Sequence, residues 1–344
     1  MPDSVILGLS IRPGSFSDRW VELCRESGIS FREMDPFLPD FIQQALGLNA
    51  FAWHWSHDDA KAALMARQVT MALEAMGVEV FPNTATSWHY DDKVGQKYLL
   101  EAIGASVPES WVFYDLQAAL NWVEGAVFPK VFKLRCGAGS SNVRLIKSRR
   151  EAEGLCWKAF KRGFASSGGY FSDAKTKVRK VQSWAAFVGK LRRAPSAFLK
   201  ALRAKNELAR SRGYIFFQEF LPGNAHDTRI TVIGDRAFGF IRRNRPGDFR
   251  ASGSGALDHA TDLVSLECVR SAFDVAKKLG TQSLAFDFLW DENKHPLIVE
   301  ISYCYQAEAV YKCPGHWDSC MNWHEGHMWP QDAILDDLLG GILK

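Results

Sequence analysis

Residues 286–303 read FDFLWDENKHPLIVEISY, two short apolar runs on either side of a polar turn. Asp291, Glu292, Asn293 and Lys294 supply the turn, and Pro296 opens the return run, so the pattern predicts a β-hairpin. Each run carries one acid where a buried apolar residue is expected: Asp287 in the first and Glu300 in the second. Ionised carboxylates are buried only when paired or bound to a metal. Two of them meeting across a hairpin repel unless a cation lies between them. Mg2+ takes oxygen ligands and readily shares them with a substrate phosphate. The plainer alternative is one edge-strand acid and one solvated acid with no shared ion.

Upstream, 214–223 (YIFFQEFLPG) reads as a buried strand ending in a Pro-Gly break. Residues 227–233 predict a strand, Gly234-Asp235 a hairpin turn and 237–243 the return strand. Arg242, Arg243, Arg245 and Arg250 then lead into the Gly-rich 251–255, and 262–279 reads as a helix closed by Gly280. Farther back, 127–133 (VFPKVFK) is strand-like and runs into RCGAGSSNV at 135–143. A Gly/Ser loop between strands can lay its backbone N–H groups against phosphate oxygens while Lys133 supplies a point charge. The loop lacks GK[ST] and no helix follows, so it is not a Walker loop, and a hairpin turn is the plainer reading. A helix over 90–103 carries Lys93 and Lys97; a helix start favours anions, although most such lysines are only solvated.

The first 85 or so residues alternate strand-like and helix-like segments, which argues for a parallel sheet. Strands are expected at 5–9, 29–34, 51–55 and 78–81. Helices are expected at 17–27 and 57–76, the second with Ala63, Met65, Val69, Leu73 and Met76 inward. No GxGxxG follows the first strand. SIRPGS at 10–15 reads as a turn, with substrate contact as the alternative, and His54 and His57 read as surface or packing residues.

The composition, 344 residues at 47% hydrophobic with 12 Trp and 23 Phe, is enough for more than one core. No apolar run approaches a membrane span, and the N-terminus lacks the basic region of a signal peptide. Seven cysteines without a CxxC fit a reducing, cytoplasmic setting. The net charge of +3 hides an asymmetry: residues 147–212 hold 18 Lys/Arg against four acids, +14, so the rest sums to −11. Within that segment Val181, Trp184, Val188 and Leu191 lie at helical spacing among basic residues. This suggests either a helical insertion with solvated charges or, through 175–205, a contact with an anionic membrane surface or acceptor. No nucleic-acid motif accompanies the charge. In the tail, Cys313, His316, Cys320, His324 and His327 have a spacing that admits Zn2+, and a loop walled by Trp317, Trp323 and Trp329 is the alternative. A closing helix is expected from Pro330, with Ile334, Leu335, Leu338 and Leu339 buried.

The order of these pieces (strand Lys, Gly-rich loop, QEFL, D-x-R strand, arginine-bearing strand, FRAS with glycines, then Asp and Glu on a late hairpin) resembles the ATP-grasp superfamily over about residues 80–305. The closest likeness is to carboxylate–amine ligases of the glutathione synthetase and ribosomal-protein glutamate ligase type. The resemblance implies an α/β and α+β chain: a Rossmann-like pre-ATP-grasp domain at 1–85, a lid lobe at 86–218 with a basic helical insertion at 148–212, and a C-terminal lobe at 219–344. It implies ATP bound by Lys93, Lys133, the loop residues Gly137, Gly139, Ser140 and Ser141, the hinge Gln218, Glu219, Phe220 and Leu221, and Asp227. It implies Mg2+ (or Mn2+) on Asp287, Glu300 and Ser302, and Arg229, Arg243 and Arg250 on the acceptor carboxylate or the transferring phosphoryl group. The family pattern has Glu-x-Asn where this chain has Glu300-Ile301-Ser302, and FR-x-Asn where it has Phe249-Arg250-Ala251-Ser252. The implied activity is ADP-forming ligation of a carboxylate to an amine through an acylphosphate, with the basic segment pointing to an acidic sugar or acidic peptide as acceptor; the alternative is a non-catalytic nucleotide-binding or membrane-surface accessory protein.

Overall fold

Four short apolar runs, β1 (Leu7–Leu9), β2 (Phe31–Glu33), β3 (Ala50–Ala52) and β4 (Glu79–Phe81), pair in parallel in the order β2-β1-β3-β4. Helices α1 (Phe16–Glu26), α2 (Phe41–Gln44), α3 (Ala60–Ala75) and α4 (Thr84–Ser87) complete this part. Ser15 caps α1 through the Ser17 N–H, and Asp59 caps α3 through the N–H groups of Lys61 and Ala62. Caps of this kind contribute about 1 kcal/mol each. The buried stripe of α3 is Ala62, Ala66, Thr70 and Leu73, with Met65 and Val69 beside it, while Ala63 and Met76 face solvent. The expected stripe is therefore rotated by about one residue. Small residues let the helix approach the sheet closely, a cue that a count of large apolar side chains overlooks. The computed structural model describes residues 6–57, 59–137, 142–164, 210–251, 253 and 255–340.

The chain divides into two compact units. One takes 91–98 and 108–221, and the other takes the remainder. In the first of these, α5 (Lys93–Ala102) begins, and β5 (Ser110–Phe113), β6 (Lys130–Lys133), β7 (Val143–Ile146) and β8 (Ile215–Glu219) form an antiparallel sheet ordered β5-β8-β6-β7. α6 (Leu116–Gly125) and α7 (Arg149–Phe160) pack against it around Ala119, Val123, Phe132, Ile146, Leu155 and Phe217. Trp122 stacks on Phe217 at 5.1 Å. The basic stretch 175–205 lies outside the described residues.

The other unit adds a larger antiparallel sheet to the parallel one. Its strands are β9 (His226–Ile233), β10 (Arg236–Arg243), β11 (Leu257–Asp258), β12 (Ser283–Trp290), β13 (Pro296–Ser302), β14 (Gly315–Trp317) and β15 (Trp323–Glu325). They run β13-β12-β9-β10-β14-β15, with β11 also on β10. α8 (Leu266–Leu279) buries Val269, Ala272 and Val275 and ends on Gly280, whose φ of 65° suits a left-handed cap. α9 (Ala307–Tyr311) and α10 (Pro330–Leu338) follow; of the expected stripe Ile334, Leu335 and Leu339 are buried and Leu338 is half-buried. Phe51 and Phe81 from the parallel sheet share one core with Phe238, Phe286 and Phe288 from the antiparallel one. Gln282 fastens the two: its side chain accepts from the Asn83 N–H at 2.8 Å, and its N–H donates to Thr86 Oγ1 at 2.8 Å. Among the described residues no helix is long and apolar enough to cross a membrane.

Candidate active site

The β12–β13 hairpin sets Asp287 directly across from Glu300, on one face of the sheet. That pairing depends on an irregularity. Phe288 pairs with Ile298 and Asp287 with Glu300, so Val299 is an extra residue in β13, a β-bulge. Strict alternation from Ile298 would turn Glu300 toward the core; the bulge returns it to the face of Asp287.

On its other side β12 pairs with β9, which places Arg229 opposite Asp287. The two-residue turn Gly234-Asp235 then fixes β10 so that Arg242 lies opposite Asp227. The four side chains form one chain of ion pairs, buried except at the half-buried Arg229. Arg229 Nε donates to Asp287 Oδ1 at 2.7 Å and its Nη2 to Oδ2 at 2.8 Å. Arg242 Nη2 donates to Asp287 Oδ2 at 2.7 Å, while its Nε donates to Asp227 Oδ1 at 2.7 Å. The cations that burial of these acids demands are thus present as guanidinium groups. Burial pushes the Asp287 carboxyl up, but Arg229 and Arg242 together outweigh that and hold it at about 2. Asp227 moves the other way, raised by burial, with Arg242 opposing and the charge of Asp287 adding to the rise.

Arg242, and not its neighbour Arg243, is the arginine that faces the acids. Arg243 lies on the opposite face of β10, is exposed, and pairs with Asp258 at 2.7 Å. Arg250 sits on the loop after β10 and forms a two-pronged pair with Asp248 at 2.8 Å. Ser302 shares the face of Glu300, but its hydroxyl donates to the Cys304 carbonyl at 3.0 Å. Counting across the Gly234-Asp235 turn from Asp227 reaches Arg242, so the signal for it was in the sequence.

In the other unit, α5 opens with Lys93, whose Nζ donates to the Gly137 carbonyl at 2.8 Å. The Gly137 N–H in turn donates to Asp91 Oδ1 at 2.6 Å, so the helix start and the Gly-rich loop are tied together. Gly139, Ser140 and Ser141 lie outside the described residues. Lys133 is buried on β6, beside β8 on one side and β7 on the other. Gln218 on β8 donates to Ser110 Oγ at 3.0 Å, and Glu219 is paired with Lys130, which also lies over the Trp111 ring. Phe220 and Leu221 follow as half-buried chain beyond β8.

By sequence the chain matches no protein-family model and no curated protein. By structure it is similar to an ATP-grasp RimK-domain protein from Sphaerobacter thermophilus DSM 20745, with a TM-score of 0.53 and 14% identity over 98% of this chain and 100% of that one. It is similar to the ATP-grasp ligase PsnB complexed with a minimal precursor, with a TM-score of 0.57 and 15% identity over 98% and 99%. It is also similar to the D-alanine–D-alanine ligase of Bacillus anthracis complexed with ATP, with a TM-score of 0.53 and 11% identity over 99% and 98%. The chain has the ATP-grasp fold.

Asp287 and Glu300 are hard oxygen donors on one face, which suits Mg2+ in chemistry. Among the described residues no group of three or more His, Cys, Asp and Glu is arranged to hold a metal. A divalent ion here would therefore rest on two carboxylates, with the remaining ligands from phosphate oxygens and water, the usual pattern for Mg2+. The Zn2+ expectation is corrected. Cys313 is buried against the Gly239 carbonyl, Cys320 is exposed, and His327 Nδ1 contacts the carbonyls of Tyr311 and Cys313. His316 and His324 are cross-strand partners stacked at 5.1 Å, and His324 Nε2 contacts Asp318 at 3.0 Å. On the β14–β15 hairpin, His316 and His324 are engaged in stacking and in the turn contact to Asp318.

Proposed function

We propose that this chain is an ATP-dependent ligase that joins a carboxylate to an amine through an acylphosphate. The observation that carries the reading is the face bearing Asp227, Arg229, Arg242, Asp287 and Glu300, on an ATP-grasp fold. A carboxylate is a poor electrophile, and transfer of the γ-phosphoryl group of ATP to its oxygen gives an acylphosphate and ADP. An amine then attacks the acyl carbon, and phosphate leaves with the C–O electron pair. Asp287 and Glu300 would hold Mg2+, which offsets phosphate charge when bound. Arg229 and Arg242 place positive charge beside Asp287 and would stabilise negative charge developing on the transferring group. Lys93, Lys133 and the 137–141 loop would serve the phosphates, and residues 218–221 the adenine.

Two observations support the narrower statement. PsnB is an ATP-grasp ligase that forms complexes with a precursor peptide, and the D-alanine–D-alanine ligase forms one with ATP. A peptide or small amino acid is thus a reasonable acceptor class. One observation favours a nucleotide-binding accessory role instead: the Ser302 hydroxyl is spent on the Cys304 carbonyl rather than turned to the acid pair. A coupled assay for ADP release across amino acids and short acidic peptides decides. A ligase releases ADP only when acid and amine are both present; ATP-induced thermal stabilisation without ADP release under every mixture overturns the ligase reading.

A further inference from the structure

The parallel sheet reverses its strand order between β1 and β3, since the chain leaves β1 for β2 on one side and returns to β3 on the other. In open α/β sheets the crevice beyond the carboxyl ends of the strands at such a reversal is where ligands bind. Here the two loops that border it carry Arg12, after β1, and His54 and Trp55, after β3. Arg67 approaches from α3, its guanidinium 5.9 Å from the Trp55 ring centroid.

Four polar atoms in this place are buried without a hydrogen-bond partner: Arg12 Nε, Arg67 Nε, Trp55 Nε1 and His54 Nε2. All four are donors. The His54 ring is 5% exposed, stacks on Phe16 at 3.8 Å, and accepts from the Phe16 N–H at Nδ1, so its proton is on Nε2. Burial and the Arg12 charge keep that ring neutral, at about 3. Among the described residues the hydrogen bonds of both guanidinium groups go to carbonyls: Arg12 Nη2 donates to the His54 oxygen at 3.3 Å and Arg67 Nη2 to the Tyr90 oxygen at 2.8 Å. Neither forms an ion pair among the described residues. Tyr303 ties the group together. Its ring lies 5.5 Å from Trp55 and 6.1 Å from His54, its hydroxyl donates to the Trp55 carbonyl, and both arginine charges act on that hydroxyl.

Buried donors without acceptors are costly, so this arrangement selects a ligand rich in acceptors. A carboxylate offers two oxygens with about four lone-pair sites and no donor, and guanidinium groups match its planar geometry. We propose that the β1/β3 crevice is a carboxylate-binding site in which Arg12, Arg67, Trp55 Nε1–H and His54 Nε2–H hold the acid group of a small ligand. Tyr303 directly follows Ser302 at the end of β13, so a ligand held here lies beside the strand that carries Glu300. That the ligand is the ligase substrate rests on the proposed function; the binding itself does not.

The test uses the full chain without nucleotide, titrated with L-glutamate, succinate and inorganic phosphate. It follows heat of binding and the indole N–H resonance of Trp55, assigned with Trp55→Phe. The carboxylates should bind and shift that resonance, with phosphate weaker. Arg12→Gln and Arg67→Gln should each weaken carboxylate binding by about 10-fold or more, as expected for loss of a charged hydrogen bond. Arg67→Lys should restore part of it, with unfolding midpoints unchanged throughout. Absence of a shift, equal binding of phosphate, or parent-like affinity in both Gln variants overturns the site. Carboxylate binding without ADP release under any mixture would leave this site standing and sink only the ligase reading.

Discussion

Replacing Arg242 by Met leaves Asp227 and Asp287 buried without the cation they share. Removing one partner of a buried pair costs about 3–5 kcal/mol, because an uncompensated charge stays behind. The pH dependence gives the sharper readout. Asp287 is held at about 2, below the unfolded carboxyl, so its contribution is present above about pH 4 and is lost as pH falls toward 2. In Arg242→Met, Asp287 keeps only Arg229, so the loss should begin at higher pH. Urea midpoints measured from pH 7 to pH 2 check both statements; an unchanged acid limb would mean that Arg242 does not hold Asp287. The acids were legible in the sequence because a lone carboxylate in an apolar strand stands out. The choice between two adjacent arginines is settled only by counting register across the Gly234-Asp235 turn, because composition carries no parity. Strand pairing supplies it: Asp227 is opposite Arg242, and Arg243 consequently turns away to Asp258.

At the scale of an element, the β12–β13 hairpin shows why periodicity alone misplaces a side chain. In PLIVEIS an alternating pattern groups Ile298 with Glu300, whereas the buried pair is Ile298 and Ile301, with Val299 as the extra residue between the two phases. Deleting Val299 should regularise the ladder while leaving Glu300 opposite Asp287, since the pairing from Trp290–Pro296 then runs on without a break. The expected cost is within about 2 kcal/mol in urea unfolding, the ordinary range for a point change. ATP-induced stabilisation should survive the deletion and fall in Glu300→Ala. If the deletion abolishes the ATP response as fully as Glu300→Ala, the bulge itself rather than the register serves the site. The same limit on pattern reading applies to α3, where Ala62, Ala66 and Thr70 carry the buried face and contribute little hydrophobic signal.

For the whole molecule, the order of motifs along the chain was informative because the D-x-R strand, the arginine-bearing strand and the late hairpin follow one another as paired strands of one sheet. The distribution of charge was legible too, but its purpose is a matter of electrostatics rather than pattern. Residues 175–205 contain 10 Lys/Arg and no acid, so deleting them takes the chain from +3 to −7. Outside 147–212 the chain sums to −11, which would repel an anionic surface, so any attraction to one must come from the basic stretch. Each Lys or Arg near an anionic membrane contributes about 1 kcal/mol, and the effect decays over a Debye length of about 10 Å at 0.1 M salt. The full chain should therefore cosediment with phosphatidylserine-containing vesicles at low salt and be released as salt rises, while the chain lacking 175–205 should stay in the supernatant throughout. Binding that survives the deletion, or that ignores salt, would assign the attraction elsewhere. If neither protein cosediments, the ten charges are a solvated surface with no part in membrane recruitment.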